Sequence, residues 1–240
     1  MYRKAVSVAA IAGLIVLILL CQILGTYLKK EFRAGQEAEE TGAALTEPTV
    51  VLDPGHGGID AGKPGINGVD EKEINLKIAL KIKELLTEKN IEVVMTRDTD
   101  DRLADSQRED LKERVAVMNR EKPVISVSIH QNSYHEENVH GAQVFYHSQS
   151  EEGERASAMI QECLNELQPD NEKKIKSNDT YYILKNTEVP TVIVECGFLS
   201  NYEEAQKLSS DSYQEEIAVA VAEGVFLYIE DIRQQTDDDA

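Results

Sequence analysis

Short apolar, β-branched stretches alternate along this chain with longer stretches of helical period, and that alternation permits few folds. Strand candidates fall at 49–53, 91–96, 124–130, 142–147, 181–184 and 191–196, where Val, Ile and Tyr are concentrated. After the first, Asp70-Glu71-Lys72-Glu73 reads as a capping box, and Ile74, Ile78, Ile82, Leu85 and Leu86 follow on one helical face. Ser106-x-x-Glu109 opens a second helix with Leu111, Val115 and Met118 inward. A third covers 151–168 through Ile160, Cys163, Leu164 and Leu167. Ser200-x-x-Glu203 opens a short helix. Ser212-x-x-Glu215 opens the last, with Ile217, Val221, Val225 and Tyr228 inward. Strands alternating with helices predict an α/β domain with a mainly parallel sheet. Such sheets bind ligands beyond the carboxyl ends of their strands.

The N-terminal region has a different character. Ala5–Leu28 carries no charged side chain, and Ala9–Leu24 is almost entirely apolar, with Arg3 and Lys4 before it and Lys29 and Lys30 after it. Roughly 20 apolar residues span a bilayer as a helix. Ile23-Leu24-Gly25-Thr26 is a poor cleavage site, and Leu19-Leu20-Cys21 lacks the small residue expected before a lipidated cysteine. Residues 1–30 are therefore expected to form one transmembrane anchor or uncleaved signal, favoured over a cleaved signal peptide. Residues 31–48 are small and polar and read as a linker. A folded domain is expected over 49–230, and an acidic, disordered tail over 231–240.

Charge narrows the partners. The net charge is −19, and residues 1–48 are balanced by five basic and five acidic groups. The whole excess lies in residues 49–240, which repel phosphates and exclude DNA or RNA as a partner. Cys21, Cys163 and Cys196 show neither disulfide nor zinc spacing and read as unpaired thiols.

Chemistry concentrates at the strand ends. Val50-Val51-Leu52-Asp53 runs into Pro54-Gly55-His56-Gly57-Gly58, one imidazole in a tight glycine loop. Alone, that loop could be an incidental turn or a phosphate nest. However, strand 124–130 ends on His130, before Gln131-Asn132, and Thr191-Val192-Ile193-Val194 ends on Glu195. A carboxylate closing an apolar run is costly without a partner. Glu71, in the first helical turn, could reach back, or could instead serve only the helix dipole; Glu73 is its competitor, already occupied in the capping box. Two imidazoles and a carboxylate suit zinc, and a second carboxylate could handle protons. His135, His140 and His147 are rival ligands in or after the polar loop 133–139.

Taken in order, these stretches resemble a known family. Val51-Leu52-Asp53-Pro54-Gly55-His56-Gly57-Gly58, Glu71-Lys72-x-x-Asn75-Leu76, Met95-Thr96-Arg97, Ser128-Ile129-His130-x-Asn132 and Val194-Glu195-x-Gly197-Phe198-Leu199-Ser200-Asn201 are similar to the zinc-dependent N-acetylmuramoyl-L-alanine amidases, amidase type 3. The resemblance covers about Thr49 to Glu230. It implies a twisted, mostly parallel sheet of about six strands with helices on both faces. It implies one zinc ion held by His56, Glu71 and His130, and Glu195 as catalytic glutamate, which settles Glu71 over Glu73. Asn132 is a candidate for substrate binding. Arg97 and Arg114 could position substrate or be structural. Two positions depart from the family pattern: Gln131 stands where a small residue is common, and Cys196 where valine or threonine is usual. Gln131 is expected to alter the pocket beside the metal.

The implied reaction is hydrolysis of the amide between N-acetylmuramic acid and L-alanine in peptidoglycan. Arg108-x-Asp110-Leu111-x-x-Arg114 and Gly141-Ala142-Gln143-x-Phe145-Tyr146 look like the sporulation, germination-specific branch, whose action lets muramic δ-lactam form in spore cortex. The expected partners are peptidoglycan, the membrane through the N-terminal helix, and an accessory activator protein. The catalytic domain is then expected on the outer face of the membrane. Two alternatives stand: a peptidoglycan-binding or regulatory protein with a degenerate site, and a zinc peptidase cutting the stem peptide.

Overall fold

The computed structural model describes residues 48–238. The expected anchor and all but the last residue of the expected linker lie outside those residues. Among the described residues no helix is long and apolar enough to cross a membrane.

Six strands form one sheet: β1 (Thr49–Pro54), β2 (Glu92–Met95), β3 (Ile125–Asn132), β4 (Gln143–Tyr146), β5 (Lys176–Ser177) and β6 (Thr191–Phe198), in the order β2-β1-β3-β6-β4-β5. The strands β2, β1, β3 and β6 run parallel, and β4 and β5 run opposite to them. The helices are α1 (Glu71–Glu88), α2 (Gln107–Glu121), α3 (Glu151–Leu167), α4 (Tyr182–Asn186), α5 (Tyr202–Leu208) and α6 (Asp211–Asp238).

Both faces of the sheet are covered, so the central strands read as nearly unbroken apolar runs. Val50, Leu52, Val127, Ile129, Val192 and Val194 pack in the larger core with α1, α3, α5 and α6. Val51 and Ile193 point the other way, into a smaller core with Val115 and Met118 of α2 and Ile183 and Leu184 of α4. The period of two places Asp53, Ser128, His130 and Glu195 on this second face. The family's implied fold is the fold observed over these residues.

Several local expectations are corrected. Residues 181–184 are not a strand. Asn178 Oδ1 accepts from the backbone N–H of Thr180 and Tyr181 at 2.9 and 3.1 Å, and this turn starts α4 instead. The sixth strand is the two-residue β5, too short to leave a pattern. Asp70 makes no side-chain capping bond, so no capping box restrains the exposed Glu73. The cap of α5 is Asn201, accepting from Glu204 N–H at 2.9 Å, one residue after the expected Ser200. At α6, Ser210 rather than Ser212 accepts from the following turn. Nor do residues 231–238 form a disordered tail. They continue α6, since Ile232 still meets the core and Arg233 pairs with Glu230 at 2.5 Å.

Candidate active site

The carboxyl ends of β1, β3 and β6 lie side by side, with His130 and Glu195 as register partners on adjacent strands. Beyond β1 the chain turns through Gly55. Its N–H donates to the Ile129 carbonyl at 2.9 Å, tying the loop to β3. A Cβ at Gly55 would overlap the His130 ring, so only glycine admits that imidazole. His56 itself sits at φ 63°, a left-handed conformation that costs a non-glycine residue about 1–3 kcal/mol.

Two buried arginines hold this loop. Arg114, on α2, donates from Nη1 to Asp53 and the Pro54 carbonyl at 2.8 and 2.7 Å, from Nη2 to the His56 carbonyl at 2.6 Å, and from Nε to Asp110 at 2.6 Å. Arg97 donates to the carbonyls of Pro54, Thr99, Gly55 and Lys72. Both are structural: their donors go to the backbone and to buried carboxylates, beneath the loop.

Glu71 enters from the first turn of α1 and is almost fully buried. Its Oε1 lies 3.0 Å from His130 Nδ1 and accepts from the Gln131 N–H at 3.0 Å and from Asn75 Nδ2 at 3.3 Å. Its Oε2 accepts from the Lys63 N–H at 2.9 Å and lies 3.3 Å from His56 Nε2. The two rings meet edge to face, 5.0 Å between centroids. Ligand atoms of His56, Glu71 and His130 all fall within 4.8 Å of one another, a group that could hold a metal ion. His135, His140 and His147 lie outside it, with His135 and His140 exposed.

Burial alone would raise the Glu71 carboxyl, but His130 and His56 outweigh it and hold the group far below the usual carboxylate range. Burial works against a charged His56, but Glu71 and Asp60 push it up to about 9. Asp60 was not apparent from the sequence. It lies four residues after His56 and places Oδ2 3.1 Å from His56 Nδ1, which fixes the ring with Nε2 toward Glu71. That spacing was its available signal.

Glu195 behaves differently. It is 8% exposed, and its Oε2 is buried with no hydrogen-bond partner among the described residues. Burial is the main cause that pushes its carboxyl up to about 7; His130 opposes the shift and Glu71 adds to it. A carboxylate poised near neutrality in a cleft suits general base work. His56, Glu71, His130, Asn132 and Glu195 line one cavity of about 490 Å³, together with Lys63, Leu111, Tyr181 and Ile193.

Gln131 is itself among the residues that line this cavity. Its amide donates to Asn75 Oδ1 at 3.1 Å, on the α1 face, where Cys196 is also buried. The two departures from the family pattern therefore share the side of the sheet away from Glu195.

Comparison with known proteins decides the family. The family model for N-acetylmuramoyl-L-alanine amidase matches residues 50–226. The chain belongs to this family. It is 30% identical over 236 residues to the germination-specific N-acetylmuramoyl-L-alanine amidase of Bacillus subtilis (strain 168), covering 95% of this chain and 96% of that protein. A solved structure of the CwlD amidase from Clostridioides difficile, in complex with the GerS lipoprotein, superposes with a TM-score of 0.74 at 35% identity, over 77% of this chain and 99% of that one. The catalytic domain of CwlV from Bacillus (Paenibacillus) polymyxa var. colistinus gives 0.69 at 30% identity, over 76% and 98%. The chain is thus an N-acetylmuramoyl-L-alanine amidase, an enzyme acting on peptidoglycan.

Proposed function

We propose that the amidase reaction is zinc-dependent, with His56, Glu71 and His130 as ligands and Glu195 as the catalytic base. The observation that carries this reading is the pairing of a converging His–Glu–His donor set with a buried, unpartnered Glu195 carboxylate one strand away. Two imidazole nitrogens and one carboxylate fit zinc and leave a fourth position open. Bound there, zinc would lower the pKa of a water and polarise the amide carbonyl. Glu195 takes the proton from the attacking water and returns it to the leaving amine of L-alanine. Asp60 fixes the His56 ring, and Asn75 with the Gln131 N–H fixes Glu71. Asn132, at the end of β3, borders the same cavity and contacts substrate.

The finer biological role belongs with this reading. The likeness to a germination-specific amidase over nearly the whole chain supports removal of stem peptide from spore cortex, the step that lets muramic δ-lactam form. The uncharged run Ala5–Leu28 supports a membrane anchor, with residues 49–230 as the catalytic domain on the outer face. The amidase crystallised with a lipoprotein supports an accessory activator here too.

Elemental analysis and activity of point variants test the site. Glu195→Gln should keep one zinc per chain and lose cleavage. His56→Ala and His130→Ala should lose zinc. A zinc content unchanged in both histidine variants would refute the ligand set.

A further inference from the structure

The apolar side of the cavity is built by Leu111, Ile183 and Ile193, and among them stands a phenol, Tyr181. Its ring packs on Phe145, 5.6 Å between centroids and tilted by 56°. Its backbone N–H is fixed at 3.1 Å by Asn178 Oδ1, and the adjoining turn is anchored by the buried Ile183 and Leu184. The ring is therefore set before any ligand arrives. Its hydroxyl nevertheless has no hydrogen-bond partner among the described residues. A half-buried tyrosine ordinarily finds one. The nearby Glu195 Oε2 is likewise unanswered. The cavity thus presents a free acceptor in Glu195 and, on its apolar side, a free donor in the Tyr181 phenol. Burial and the charge of Glu195 keep the phenol protonated, so it remains a donor at neutral pH.

We propose that Tyr181 is a further catalytic residue, whose hydroxyl donates a hydrogen bond to the carbonyl oxygen of the scissile lactyl–alanine amide. This rests on the amidase reading above. When water adds to the carbonyl carbon, the π electrons of the C=O bond move to its oxygen. The Tyr181 hydroxyl donates to that oxygen and keeps its own proton. When the carbonyl re-forms, the C–N bond breaks, and the amine leaves with the proton carried by Glu195. A donor aimed at developing charge strengthens in the transition state, so it raises kcat more than it tightens substrate binding. The rigid seat of the ring on Phe145 means that little reorganisation accompanies this step.

The test uses the full chain, a soluble muramoyl-peptide, and Tyr181→Phe, which keeps the ring and its packing. The expected result is a kcat about 100-fold lower with KM changed less than about twofold. Affinity for a tetrahedral phosphinate analogue of the lactyl–alanine amide should fall by a similar factor, while affinity for the released L-alanyl peptide holds. Zinc content and melting temperature should match the wild type. An unchanged kcat overturns the proposal. So does a lower kcat with analogue affinity intact, or a parallel loss of analogue and product affinity, which would mean that the residue only shapes the pocket. If the wild-type chain frees no L-alanine amine at all, the amidase reading and this proposal fall together. If the wild type is active and the variant matches it, Tyr181 alone is rejected.

Discussion

Arg114 Nη2 donates to the backbone carbonyl of His56 at 2.6 Å, and the same guanidinium pairs with Asp53 at 2.8 Å and Asp110 at 2.6 Å. The arginine is 2% exposed, so three charges are buried together beneath the loop. Burial is the largest single cause and raises Asp53, but Arg114, Ser128 and Thr96 together outweigh it and hold the carboxyl below its usual range. Removing one member of such a set leaves the others uncompensated. Arg114→Met should therefore destabilise the fold by about 3–5 kcal/mol. Urea unfolding measures it, and a loss below about 1 kcal/mol would mean the ion set is dispensable.

Gly62 sits at φ +72°, and a Cβ there would stand 2.6 Å from Glu71 Oε2 and 2.8 Å from His56 Cδ2. Gly62→Ala should displace both groups while leaving the distant sheet unchanged. The expected outcome is a normal circular dichroism spectrum with zinc content and cleavage both lost.

Asp60 Oδ2 orients the His56 ring through Nδ1. Carboxylate partners of metal-binding histidines contribute about 10–100-fold in affinity. Asp60→Ala should weaken zinc binding by that order in a competition titration with a chelator. Equal affinity in variant and wild type would show that the contact is incidental.

With Glu195 as the proposed base, its carboxyl should set the pH dependence. Its carboxyl is pushed from 4.5 to about 7 in the metal-free protein, chiefly by burial. A bound cation favours the carboxylate and draws the value back down. The acidic limb of kcat/KM should therefore lie between 4.5 and 7. For stability the sign is opposite to that of a salt-bridged acid. A raised folded-state pKa favours the protonated fold, so this contribution is complete below pH 4.5 and is lost as pH rises through 7. Metal-free Glu195→Gln should match wild-type stability near pH 4 and exceed it at pH 8 by up to about 3 kcal/mol. Melting curves at the two pH values compare them. A variant no more stable at pH 8 would argue against a destabilised buried carboxylate.

What could be read in advance follows physical lines. Long-period patterns survived translation into structure: the apolar runs of β1, β3 and β6 and the inward faces of α1, α2, α3 and α6 stand where the sequence places them. The residues at those strand ends come together for the same reason, since parallel neighbours share one edge. Short-range features were harder. Tyr181–Leu184 has strand-like composition, yet the Asn178 turn makes Tyr181 the cap of α4 and Tyr182–Leu184 part of that helix. Asp60 and Tyr181 carry no motif that sets them apart from surface polar residues. Their positions depend on how the glycine loop and α4 fold over the sheet edge. The alignment of Gln131 with Asn75 required knowing which face of β3 follows His130, where the register shifts before Asn132.

Mass spectrometry of peptidoglycan digested by the full chain, beside Glu195→Gln, tests the central claim most directly. The account predicts muramic acid residues without peptide and stem peptides with a free L-alanine amine from the wild type, and neither from the variant. Stem peptides cut internally while still joined to muramic acid, or equal products from Glu195→Gln, would contradict it.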